Sequence, residues 1–194
     1  MEFIYEIENA LPKQICEIII KRYQKDDRKR PSKTFSGTKD VRKSNVLNFS
    51  YLEDWKDVDD IIFDVFTKGF NKYKEYIKTH INGNGDESIS HAIYEVFTDL
   101  LDEGYFVQEY KTGEYYRYHI DDHAKGNTPR TISCILYLNT LEEDQGGCTE
   151  FIGGKKIRPI QGKLLMFPSG WTYIHRGAPV KNSGVKYTIG TWAI

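Results

Sequence analysis

Two textures of apolar and polar residues follow one another along this chain. Through the first hundred residues the apolar positions recur every three or four, the period of a helix with one buried face. Leu11-Pro12 opens the first such run, proline being tolerated at the first helical position, and Ile15, Ile18, Ile19 and Tyr23 give it an apolar stripe. A longer run is capped by Asp54 and reaches Thr79, with Trp55, Val58, Ile62, Val65, Phe66, Tyr73 and Tyr76 at helical spacing. That stripe reads as a core-facing surface. A turn-rich break at 82–86 precedes a further helix over 90–101. Short alternating runs at 2–8 and 46–51 are the strand candidates of this half. After Gly104 the pattern changes to short runs rich in Tyr, Ile, Val, Thr and Phe, separated by Gly, Pro and Asn. Strands are expected near 105–110, 115–120, 131–138, 149–152, 156–160, 163–167, 172–176 and 185–193, which suggests a sandwich, jelly roll or barrel. The expected architecture is one domain over 1–194, with 1–103 as mainly helical support for an all-β core over 104–194.

Composition narrows this picture. The length, 194 residues, suffices to bury a sizeable core, and a net charge of −1 implies no whole-molecule attraction to nucleic acid or anionic lipid. No run approaches the roughly 20 apolar residues of a membrane span. The acidic start Met1-Glu-Phe-Ile-Tyr-Glu lacks a signal-peptide layout. Three scattered cysteines, Cys16, Cys134 and Cys148, argue for a reducing compartment, so a cytoplasmic location is expected. Charge is concentrated in one place. Residues 21–43 hold ten Lys or Arg against three Asp, together with Pro31, Ser32, Ser36 and Gly37. This segment reads as a loop, either a solvated face or a lid or docking arm for an acidic partner.

The candidate chemistry lies in the second half. His119-Ile-Asp121 places an imidazole and a carboxylate two positions apart, hence on one face of a strand. His175 follows after more than fifty residues and supplies a third donor if its strand lies across the core. Two histidines and a carboxylate that leave positions open suit non-haem Fe(II). His123 lies four residues after His119, but the zinc-protease pattern needs Glu directly after the first His, where this chain has Ile120. His123 is therefore read as part of a loop at the mouth, and His80 and His91 as solvated or capping.

Several segments, in order, resemble the 2-oxoglutarate- and Fe(II)-dependent oxygenases. The run from Val107 through Tyr110, Gly113 and Tyr116 to His119-Ile-Asp121 is similar to their tyrosine, glycine, tyrosine and His-x-Asp region. Arg130 to Asn139 looks like their next strand and Gly146-Gly-Cys-Thr-Glu-Phe151 like their Gly-Gly turn. Lys163-Leu-Leu-Met-Phe-Pro168 with His175-Arg-Gly-Ala-Pro-Val180 resembles their second-histidine region, and Lys186 to Trp192 their last strand. Within the superfamily the likeness is closest to the prolyl 4-hydroxylases.

The resemblance implies an α+β chain with a double-stranded β-helix (jelly roll). It implies Fe(II) on His119, Asp121 and His175, with 2-oxoglutarate and O2 as co-substrates and ascorbate as an accessory. Lys186 would then pair with the distal carboxylate of 2-oxoglutarate, with Tyr137 donating to the same group and Tyr110 lining its pocket. Tyr116, Arg130 and Trp192 match positions that line the substrate site. The implied reaction hydroxylates a prolyl residue of a protein or peptide and releases succinate and CO2. The gap from His175 to Lys186 is slightly longer than the family's usual spacing, which makes Lys181 a rival anchor. Alternative readings are the same class acting on another side chain, a free amino acid or a nucleobase, and a non-catalytic jelly-roll binding module. The basic segment alone keeps nucleic acid in play, and its single aromatic, Phe35, argues against it.

Overall fold

A computed structural model describes residues 3–32, 41–81, 87–98, 100–122 and 129–194. His123, Phe35 and the 82–86 break lie outside the described residues. In chain order the elements are β1 (Tyr5–Ile7), α1 (Lys13–Lys25), β2 (Arg30–Pro31), β3 (Arg42–Lys43), β4 (Asn45–Asn48), α2 (Lys56–Ile81) and α3 (Glu87–Val96). The second half follows with β5 (Phe106–Lys111), β6 (Tyr115–His119), β7 (Ile132–Tyr137), β8 (Thr149–Phe151), β9 (Lys156–Ile157), β10 (Leu164–Pro168), β11 (His175–Gly177) and β12 (Val185–Ala193).

Two antiparallel sheets form a jelly roll. The larger runs β1-β10-β7-β12-β5-β4-β2 and the smaller β3-β6-β11-β8-β9. Strand alternation assigns the two faces of the larger sheet. On β12, Tyr187, Ile189 and Ala193 enter the main core, while Lys186, Thr188, Gly190 and Trp192 face the space between the sheets.

The helices cover the outer face. Cys16, Ile19 and Tyr23 of α1 and Val58, Ile62, Phe66 and Tyr73 of α2 are buried against Leu136, Leu164, Met166 and Ile189. At Gly69 of α2 an added Cβ would lie 2.6 Å from Leu164 Cδ2, so glycine sets how closely helix and sheet approach. The opposite ends of α2 carry Asp57 and Asp59 in the first turn and Lys78 and His80 in the last, in agreement with the helix dipole. A second apolar cluster fills one end of the inter-sheet space with Ile4, Tyr137, Leu165, Phe167, Phe151 and Ile157. The other end stays open as a cavity.

Four expectations need correction. Asp54 does not cap α2: it lies in a 3-10 turn, Glu53–Trp55, that leads into the helix, and its carboxylate binds Arg28 at 2.6 Å. Ile18 is exposed, because the buried side of α1 runs through Cys16, Ile19 and Tyr23. Residues 172–176 are not one strand: a 3-10 turn at Trp171–Tyr173 precedes β11. Residues 21–43 are not one loop: they include the end of α1 and the edge strands β2 and β3.

Candidate active site

β6 and β11 pair antiparallel in the smaller sheet, with His175 opposite His119. The register slips between this pair and Gly177–Tyr116, so β6 carries one extra residue there. Such a bulge re-aims side chains near a site. Here the imidazole centroids of His119 and His175 come to 4.2 Å, and the chain leaving β6 returns Asp121 beside both. One donor atom from each of His119, Asp121 and His175 lies within 4.8 Å of the others, a grouping that could hold a metal ion.

The hydrogen bonds orient these donors. His119 Nδ1 lies 2.7 Å from the Arg117 carbonyl and His175 Nδ1 3.0 Å from the Tyr173 carbonyl. A carbonyl only accepts, so each Nδ1 carries the proton and each Nε2 keeps its lone pair. Both Nε2 atoms face Asp121, at 3.4 Å and 3.5 Å. Ser133 Oγ donates to Asp121 Oδ2 at 2.8 Å and is itself bonded to Ser169 Oγ at 2.8 Å. Burial disfavours a charged Asp121, but the two neighbouring imidazoles and the Ser133 hydrogen bond outweigh it and hold the carboxyl below its usual range. Burial lowers the His175 imidazole to about 4, which keeps it neutral at physiological pH. One carboxylate and two imidazoles, oriented through their distal nitrogens, could hold a divalent metal with open positions.

The cavity between the sheets is lined both by this cluster and by Lys186. Lys186 is buried, and its Nζ donates to the Gly147 carbonyl at 2.9 Å and lies 4.8 Å from the Tyr110 ring centroid. Burial lowers it to about 8. Gly146 and Gly147 both take positive φ, 66° and 70°, which positions that carbonyl, and a Cβ on Gly147 would meet Leu141 Cδ1 at 2.5 Å. A buried ammonium with one carbonyl and an aromatic face, and no carboxylate paired to it among the described residues, is suited to an incoming carboxylate. Lys181 is exposed on the Lys181–Gly184 turn, which includes Asn182 and Ser183 at positive φ, and so does not reach the cavity.

Residues 105–194 match the model of the 2OG-Fe(II) oxygenase superfamily. The match covers just under half of the chain. A PKHD-type hydroxylase of Idiomarina loihiensis is 34% identical over 87 residues, 43% of this chain and 39% of that protein. A PKHD-type hydroxylase of Xylella fastidiosa is 32% identical over 84 residues, 37% of this chain and 36% of that protein. The matches thus span about two-fifths of the length of these curated relatives.

Solved structures share the oxygenase fold over nearly the whole chain. A viral collagen prolyl hydroxylase of Paramecium bursaria Chlorella virus-1, solved as its 2OG complex, superposes with TM-score 0.69 at 21% identity, over 99% of this chain and 95% of that one. A Pseudomonas putida prolyl-4-hydroxylase gives 0.64 at 17% identity, over 100% and 92%. A Trichoplax adhaerens prolyl hydroxylase, solved with a hypoxia-inducible-factor peptide fragment, gives 0.72 at 17% identity, over 100% and 84%.

The sequence-derived candidates separate into two groups. His119, Asp121, His175, Lys186, Tyr110, Tyr116 and Trp192 all line the cavity. Tyr116 stacks on His119 at 3.5 Å between centroids. Tyr137 and Arg130 do not line it. Tyr137 packs into the second apolar cluster and shares a 2.7 Å hydrogen bond with Thr149, which does line the cavity. Arg130 binds Glu103 through Nε and Nη2, both at 2.7 Å, and lies 3.5 Å from the Trp192 ring centroid.

Other wall residues were not singled out from sequence. Arg42 lies 4.6 Å over Tyr116, and Gln108 accepts from the Tyr110 hydroxyl at 3.3 Å. Five buried side-chain polar atoms lack a protein partner among the described residues, and three of them, Arg42 Nε, Gln108 Nε2 and Thr191 Oγ1, belong to cavity-lining residues. Such concentration marks a polar ligand site. At the mouth Phe106 packs on Trp192 at 5.1 Å and lies over Gly190, where an added Cβ would come 2.5 Å from Phe106 Cζ.

Among the described residues no helix is long and apolar enough to cross a membrane.

Proposed function

We propose that this chain is a 2-oxoglutarate- and Fe(II)-dependent dioxygenase that hydroxylates prolyl residues in a protein or peptide. The observation that carries the reading is the placement of the His119, Asp121 and His175 donors and the buried Lys186 along one cavity. His119, Asp121 and His175 would hold the iron. With O2 and 2-oxoglutarate bound, the iron supplies the oxidation, one oxygen atom entering a substrate C–H bond and the other the co-substrate, which leaves as succinate and CO2.

This chain's own residues bind, orient and exclude water. Ser133 fixes the rotation of the Asp121 carboxylate. The carbonyls of Arg117 and Tyr173 fix both imidazole tautomers. Lys186 anchors the distal carboxylate of 2-oxoglutarate, and Tyr110 walls that pocket. Tyr137 braces the same wall through Thr149. Tyr116 and Trp192 flank the substrate, and Arg130 positions Trp192 by stacking on it.

Anaerobic titration with Fe(II) and 2-oxoglutarate tests the site, with the visible metal-to-ligand charge-transfer band as readout. The band is expected in the wild type and absent in His175→Ala. Proline-containing peptides are then screened in air for a mass gain of one oxygen, with and without ascorbate. A folded, metal-loaded wild type without the band would reduce the chain to a binding module. A band without prolyl oxidation would move the substrate to another side chain or molecule.

A further inference from the structure

A second groove leaves the mouth of the cavity across the edge of the larger sheet. Its own walls include Arg30, Ser32 and Asn48, and it shares Arg42, Phe106 and Trp192 with the cavity. No carboxylate lines it among the described residues. The nearby Glu103 is held in the buried pair with Arg130. Among the described residues neither Arg30 nor Arg42 is in an ion pair, and Arg42 Nε is buried without a partner. Stacking on Tyr116 fixes the Arg42 guanidinium beside the path from groove to metal centre. A pre-organised planar fork of this kind recognises a carboxylate.

We propose that this groove seats an acidic residue of the polypeptide substrate, held between Arg30 and Arg42 beside the residue that enters the cavity. The proposal rests on the reading of the cavity as a peptide-oxidising site. It also gives the basic segment a specific role, since β2 and β3 carry Arg30 and Arg42 to one rim. Nucleic acid fits less well: the Trp192 ring is already engaged by both Phe106 and Arg130, and the described groove offers no further aromatic platform for base stacking.

The test is binding of alanine–proline peptides to the Fe(II)- and 2-oxoglutarate-loaded protein under anaerobic conditions. The peptides differ only in glutamate, glutamine or lysine at the positions flanking the proline. Glutamate peptides are expected to bind on the order of tenfold more tightly than lysine peptides, with a preference that weakens in high salt. Arg30→Glu, at an exposed edge position, should invert the order, a gain for lysine peptides that misfolding cannot produce. Equal affinities, no peptide binding, or tighter binding of a single-stranded oligonucleotide than of the glutamate peptide would overturn the proposal. The charge-transfer band in the same samples reports separately on the iron and 2-oxoglutarate site, so loss of peptide preference with the band intact refutes this inference alone.

Discussion

Replacing Lys186 by methionine should stabilise the protein while removing its affinity for 2-oxoglutarate. Burial lowers this lysine from 10.5 to about 8. At ~1.36 kcal/mol per tenfold change in proton affinity, holding the charge in the folded state costs roughly 3 kcal/mol. Methionine removes that cost but leaves the Gly147 carbonyl without its donor, a loss of about 1 kcal/mol. The net gain of ~2 kcal/mol corresponds to a rise in Tm of about 4–8 °C for a chain of this size.

The pH dependence follows from the direction of the shift. Between about 8 and 10.5 the unfolded chain holds the Lys186 proton and the folded chain does not, so wild-type stability rises with pH through that window. Below about 8 both states are protonated and the full penalty applies. The advantage of Lys186→Met is therefore full at pH 7 and vanishes as pH approaches 10.5. Thermal melts at pH 7 and pH 10, with and without 2-oxoglutarate and Mn(II), provide the assay. Wild type should gain ~2.7 kcal/mol from 2-oxoglutarate at a hundred times its Kd, and the variant nothing. A variant less stable than wild type at pH 7, a difference independent of pH, or retained stabilisation by 2-oxoglutarate would refute the reasoning.

Other outcomes follow from the same geometry. Asp121→Ala should lose bound iron and turnover, checked by metal analysis and the charge-transfer band, while circular dichroism stays native. Arg130→Leu should cost about 3–5 kcal/mol by leaving the Glu103 carboxylate buried and unpaired, seen in urea unfolding, and adding Glu103→Leu should recover most of it. Gly147→Ala forces a side chain into a positive-φ position against Leu141 and should raise the 2-oxoglutarate KM at least tenfold. Gly69→Val should destabilise by roughly 1–3 kcal/mol through overpacking against Leu164, with no change in 2-oxoglutarate affinity.

Much of the second half was legible because one period rules it. Alternation alone separates Lys186, Thr188, Gly190 and Trp192 from Tyr187 and Ile189 on β12, and the structure keeps that division. The donor pair His119 and Asp121 could be placed on one face by the same rule. Its meeting with His175 depends on β6 pairing with β11 across a bulge, a long-range register that no local pattern encodes.

Tyr137 lies off the cavity lining for a related reason. It shares a strand face with Ser133 and Ile135, but at its end of β7 the inter-sheet space is filled by Phe151, Leu165 and Phe167. Arg130 has the charge of a substrate contact, and Glu103, far away in sequence, claims it. Arg42 was hidden in a run whose charge density suggested solvent, although two residues of that run complete a sheet edge.

The close approach of Phe106 to Gly190 bears on how the cavity can be reshaped. At Gly190 a hydrogen stands where a methyl group would press on Phe106, and the strand is paired on both sides at that position. A strand, rather than a loop, therefore fixes this part of the cavity wall, and a single codon change at Gly190 would displace the Phe106 ring. The shape of the cavity could be retuned in that way without disturbing His119, Asp121 or His175, so acceptance and chemistry can evolve as separate traits on different strands.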